Sequence, residues 1–106
     1  MYDHLEIKFR SRKLEKAFRS KKERVSRWGE AVAEKFILRI QVLQAILCLE
    51  DLRQFSFLRF HSLKGSRKGQ YAVDIHDRWR LVFTLQEDED GGEAILILEV
   101  SNHYGD

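Results

Sequence analysis

The chain contains no proline and a single cysteine, Cys48. One thiol excludes an internal disulfide and fits a reducing cytoplasm. Placed at the end of a helical pattern, it is expected to serve as a small core side chain. No run of about 18 apolar residues occurs, which excludes a membrane-spanning helix by length. The opening MYDHLEIKFR carries acids early and lacks an apolar stretch, so it does not read as a secretory signal. Metal-ligand spacings such as HxxxH or CxxC are missing. So are a P-loop, GxGxxG and GxSxG, and neither Cys48 nor the three tyrosines form a nucleophile signature. No repeat, low-complexity segment or linker divides the 106 residues, which read as one domain over 1–106. That length suffices for one modest core without disulfides or metal.

Positive charge is missing from the tail. Residues 86–106 hold no Lys or Arg against seven Asp/Glu, whereas residues 1–28 hold ten against four and residues 51–85 seven against three. The net charge of +2 conceals this segregation. Such a layout suits an anionic partner, although solvated helix faces plus an acidic turn would produce the same counts.

Leu5-Glu6-Ile7-Lys8-Phe9 alternates apolar and polar residues and predicts a short strand. Ser11 offers an N-cap for a basic first helix that runs towards Trp28, where Gly29 punctuates. Its stripe is Leu14, Ala17 and Phe18. A second helix is predicted from about Glu30 to Leu49, with Val32, Phe36, Ile40, Leu43 and Leu47 on one face, widened by Ala33, Ile37 and Ile46. Four strands follow: Phe57–His61, Gly69–His76, Trp79–Leu85 and Ala94–His103. Asp77-Arg78 reads as a turn and Glu87–Gly92 as an acidic hairpin loop. The expected fold is α+β: an N-terminal strand and two helices packed on one face of a mainly antiparallel sheet, with the other face open.

Strand alternation says which side chains reach that open face. With Leu58 and Phe60 inward, Arg59 and His61 point outward. With Trp79, Leu81 and Phe83 inward, Arg78, Arg80 and Thr84 are outward. With Leu96, Leu98 and Val100 inward, Glu99, Ser101 and His103 are outward. His61, Arg80 and His103 then converge, beside Lys64, Arg67 and Lys68 of FHSLKGSRKGQYAVDIHDRWRLVF (60–83). Imidazoles with guanidinium and ammonium groups suit metal-free phosphodiester cleavage. That reaction needs a base for the 2′-OH, an acid for the 5′-oxygen and cations for the charge gathering on phosphorus. The plainer readings are that Arg80 pairs with Glu99 across the sheet, that Lys64-Gly65 is an ordinary loop, and that His4 and His76 are hydrogen-bonded surface residues.

These residues resemble the RelE/ParE superfamily of type II toxins, closest to its HigB and YoeB branches, over nearly the whole length. IKFRSRKLEKAF is similar to the HigB strand and basic helix. FHSLKGSRKGQYAVDI is similar to the family's His-Pro-Leu-Lys-Gly and Gly-x-Trp/Tyr segment, DRWRLVF to its Asn-Trp-Arg-Leu-x-Phe strand, and SNHY to its catalytic tail. Ser62 stands where the family has Pro, and Ser101-Asn102-His103 where HigB toxins have Asp-Tyr-His. A shifted alignment would set Tyr104 on the final His; strand parity favours His103.

The resemblance implies a RelE-like fold and a ribosome-dependent mRNA endonuclease without cofactor, acting in the cytoplasm on the A-site codon of the 70S ribosome. It implies a HigA-like helix-turn-helix antitoxin as partner. His61 and His103 would share the base and acid roles, in either order, with Lys64 and Arg80 stabilising the transition state. Arg67, Lys68, Arg78 and Tyr104 would bind RNA. A ParE-like gyrase inhibitor and a catalytically inactive RNA-binding relative share the fold and remain alternatives. The acidic Glu87–Asp90 reads as a solvated turn or as an antitoxin contact.

Overall fold

The computed structural model describes residues 5–87 and 89–102. Strand β1 (Glu6–Phe9) leads into three helices, α1 (Arg12–Arg19), α2 (Lys21–Trp28) and α3 (Glu30–Ala45). The 3-10 turns Leu49–Gln54 and Ser56–Leu58 then lead to β2 (His61–Ser62), β3 (Gln70–His76), β4 (Trp79–Glu87) and β5 (Glu93–Ser101). The sheet order is β1-β5-β4-β3-β2, with β1 parallel to β5 and the other pairs antiparallel. The α+β expectation therefore holds, with the helices on one face.

Ser11 caps α1 by accepting from the Leu14 amide at 3.2 Å. The first helix is broken where one was expected to continue. Ser20 adopts extended backbone, closing α1 and capping α2 by accepting from the Glu23 amide at 3.2 Å. Serine favours this role because its hydroxyl replaces the missing intrahelical partner. Arg24 donates to the carbonyls of Ala17 (3.2 Å) and Phe18 (3.0 Å), satisfying the end of α1.

Helix α3 ends at Ala45, four residues before the predicted end, and two further expectations fail with it. Leu47 is exposed rather than part of the helical stripe, and Cys48 is exposed rather than a core side chain. Asp51 draws the chain into its 3-10 turn by accepting from the amides of Leu47 (3.0 Å) and Cys48 (3.3 Å). Those bonds hold its carboxyl below the usual carboxylate pKa. The predicted strand Phe57–His61 is likewise absent. Leu58 enters the core from a 3-10 turn, and Arg59 takes the left-handed conformation (φ 47°), leaving only His61 and Ser62 to pair with β3.

The main core joins Phe36, Ile40 and Leu43 of α3 to Val73, Ile75, Leu81, Phe83, Ile95 and Ile97. Leu96 and Leu98 do not face it, against expectation. The β4–β5 register shifts between Val82 and Phe83, so Leu98 is an extra residue that resets the alternation. Val100 returns to the helix side; Leu96 and Leu98 join Leu63, Ala72 and Val82 in a second, smaller cluster on the opposite face. That face is therefore partly covered. A second bulge frees carbonyls at Asp74 and Ile75, and Arg39 of α3 donates to both, at 2.7 and 3.1 Å. Burial pulls the Arg39 guanidinium below its ordinary pKa, with the Asp74 charge opposing.

Phe83 is fully buried under Phe60 and Tyr71, whose rings stack near it. Truncation to Ala should cost about 3–5 kcal/mol in chemical denaturation. Asp51→Asn should speed amide exchange at Leu47 and Cys48 at neutral pH. Because the folded pKa of Asp51 is lowered, the difference from the parent should be full above about pH 4. It should disappear as pH falls through the folded value.

Candidate functional site

The face opposite the helices is set by register. His61 on β2 stands across from Ala72 on β3, Ala72 from Val82 on β4, and Val82 from Glu99 on β5. Two residues along, Asp74 stands across from Arg80, and Arg80 from Ser101. Directly paired residues share a face. His61 and Arg80 therefore lie on one face, about 12 Å apart at Cα by strand spacing. Arg80 is only 7% exposed, flanked on both sides by strands.

The left-handed turn at Arg59 brings its own carbonyl to His61, with Nδ1 2.9 Å from that oxygen. A carbonyl can only accept, so Nδ1 carries the hydrogen and donates. In the neutral imidazole the basic lone pair then resides on Nε2. The Arg59 guanidinium turns to Asp74, 3.4 Å away. Asp74 thus forms part of a charged row, Arg59–Asp74–Arg80, across three adjacent segments of the face.

Lys64 and Lys68 are exposed and flank the 3-10 turn Gly65–Arg67 between β2 and β3. Arg67 instead pairs with Glu99 of β5, and its Nε donates to Gln70 at 3.0 Å. Glu99, considered as a partner for Arg80, is thus engaged by Arg67. Arg78 is exposed in the β3–β4 turn, at the opposite end of β3 from Lys64, where a cavity of about 600 Å³ is lined by His76, Asp77, Arg78, Trp79 and Asn102. It does not join the others. His103 and Tyr104 lie outside the described residues. His76 faces the helix side, with Nδ1 3.3 Å from the Lys35 ammonium.

Residue patterns alone missed Asp74 and the Arg59 carbonyl. Asp74 was hidden among the apolar alternation of β3, and a backbone acceptor leaves no mark in a sequence. Among the described residues, no group of three or more His, Cys, Asp or Glu is placed to hold a metal ion. No helix among them is long and apolar enough to cross a membrane.

Comparison with solved structures yields one consistent architecture. The fold is similar to a YoeB/ParE toxin from Agrobacterium tumefaciens, at 16% identity and TM-score 0.60, covering 94% of this chain and all of that one. The chain has the YoeB/ParE toxin fold. Staphylococcus aureus YoeB, solved as a dimer, superposes at 21% identity and TM-score 0.55. The YoeB–YefM complex from the same organism gives 22% and 0.51. Each covers 96% of this chain and the whole of the other. These names fall on the YoeB and ParE side of the expected resemblance, with no HigB among them. No protein-family model and no curated protein matches the chain.

The tautomer assignment is open to direct measurement. In the neutral His61 imidazole, the ¹⁵N shifts should show a protonated Nδ1 and a pyridine-like Nε2. The reverse pattern would place the lone pair on the Arg59 side and remove the geometry described here.

Proposed function

We propose that the protein is the toxin of a toxin–antitoxin pair and an mRNA endonuclease that cuts on the ribosome. The observation carrying this reading is the placement of His61 and Arg80 on one face of a YoeB/ParE-type sheet, with the basic nitrogen of His61 set by the Arg59 carbonyl. Nε2 of His61 removes the proton of the 2′-OH, and the 2′-oxygen attacks the adjacent phosphorus. The P–O5′ bond breaks, and the general acid, His103, delivers a proton to the leaving 5′-oxygen. The products are a 2′,3′-cyclic phosphate and a 5′-OH, so no net proton is consumed. Arg80 and Lys64 offset the charge gathered on the phosphoryl oxygens. Arg80 is suited to this because a buried, strand-held guanidinium needs little reorganisation. Lys68 and the basic faces of α1 and α2 contact phosphates.

The reading includes cytoplasmic action and an antitoxin partner. The YoeB–YefM neighbour supports an antitoxin of the YefM kind over a HigA-like one. Arg78 of the β3–β4 turn, and Tyr104, would also bind RNA.

Ribosomes programmed with a defined mRNA provide the test. The cut 3′ fragment should accept phosphate from polynucleotide kinase without prior dephosphorylation, as a 5′-OH does. His61→Gln should lower the cleavage rate by about 10²–10⁴-fold, and Arg80→Ala by about 10²–10³-fold. Intact mRNA combined with loss of DNA supercoiling after induction would make the protein a gyrase inhibitor instead.

A further inference from the structure

The β2–β3 loop carries Lys64, Arg67 and Lys68, yet these three cations are held differently. Lys64 and Lys68 stand in solvent. Arg67 is bound twice: one terminal nitrogen donates to the Glu99 carboxylate, and Nε donates to the Gln70 side-chain oxygen at 3.0 Å. Both members of the ion pair are about a third exposed, and 32 residues separate them in sequence. Glu99 lies on β5, whereas the loop leaves β2 and returns to β3. The pair therefore ties the loop to a strand separated from β2 by β3 and β4, on the face that carries the fully buried Ala72 and Val82. Leu63 at the start of the loop is buried in the same cluster. Two more bonds pin the ends of the loop: the Leu63 amide donates to the Gln70 carbonyl at 2.9 Å, and the Thr84 hydroxyl to the Gly69 carbonyl at 2.6 Å.

We propose that Arg67 and Glu99 form a strap that positions the β2–β3 loop, and with it Lys64, over the catalytic face. Arg67 is then a positioning residue rather than a phosphate contact. A guanidinium whose charge is already met by a carboxylate and whose Nε is already bonded must give up both partners to reach RNA. Leu63, which packs with Ala72 and Val82, begins the same loop, so the loop's apolar lining and Lys64 belong to one connected segment. Lys64 lies three residues from Arg67, and His61 three residues before Lys64, so a shift of the loop alters the spacing between the base and its cation. The inference rests on the nuclease reading, because only cleavage gives that spacing a catalytic meaning.

The test compares Arg67→Gln, Glu99→Gln and the exchanged pair Arg67→Glu/Glu99→Arg. Three measurements are made: cleavage on programmed ribosomes, binding of a short single-stranded RNA across a salt titration, and amide hydrogen exchange. Both single variants should lower kcat about 10²-fold with KM unchanged, as a misplacement near 1 Å does. Both should speed exchange over residues 63–69, leave the salt slope of RNA binding unaltered, and lose most of these effects in the exchanged pair. The strap is overturned if Arg67→Gln raises KM and flattens the salt slope by about 0.7, the share of one phosphate contact, while Glu99→Gln cleaves normally. Absence of cleavage by the unsubstituted protein overturns the nuclease reading instead, and the exchange data then decide the strap by themselves.

Discussion

Strand β4 is hydrogen-bonded on both sides, to β3 and β5, and this double pairing constrains everything packed around it. Its alternation sends Trp79, Leu81, Phe83 and Leu85 to the helix side and Arg80, Val82 and Thr84 to the other. The first set needs an apolar cover, and α3 supplies it. On the second side Val82 needs a cover too, which is why Leu63, Leu98 and the β2–β3 loop gather there. Arg80 shares this strand and cannot swing out without disturbing two ladders. Burying a guanidinium is costly unless opposite charge or acceptors are near. Asp74 and Ser101, in register on either side, give Arg80 a polar row. The same constraint that makes Arg80 costly to bury also fixes its direction, which is what the charge-stabilising role proposed for it would require.

Much of this frame was readable from the residues. The apolar alternation of 79–85, the Ser11 cap and the face of α3 follow from local periodicity, and local periodicity survived folding. Several failures share one cause: they depend on a neighbouring strand or turn rather than on the segment itself. The bulge at Leu98 arises from pairing with β4, so the pattern of β5 alone places Leu96 and Leu98 on the wrong side. Glu99 and Ser101 were nevertheless read correctly, because Val100 lies beyond the bulge and sets their parity. The Ser20 break was legible in principle, since Ser20-Lys21-Lys22-Glu23 has the spacing of a capping box. It was obscured by the continuous basic run around it. The left-handed Arg59 is not encoded by any residue preference, as arginine gains nothing from that conformation. It is imposed by Leu58 entering the core on one side and β2 starting on the other.

The charge layout can now be refined. The face is not a uniform cationic surface, because Asp74 and Glu99 lie within it, bound to Arg59 and Arg67 respectively. A face bearing cations alone attracts any polyanion in any register. Carboxylates interleaved with the cations penalise a phosphate placed above them, so attraction and geometry are assigned to different residues. The exposed cations of α1, α2 and the β2–β3 loop act at a distance and raise the rate of encounter. The paired cations near the centre contribute little to that field, since each is neutralised locally. On the proposed nuclease reading, Arg80, held in its polar row beside Asp74 and Ser101, would register one phosphate. On that same reading, affinity for RNA would reside at the rim and selectivity for a single scissile bond at the centre. If the protein is the proposed nuclease, a substitution that adds positive charge at Asp74 or Glu99 would strengthen RNA binding while blurring the register that cleavage would require.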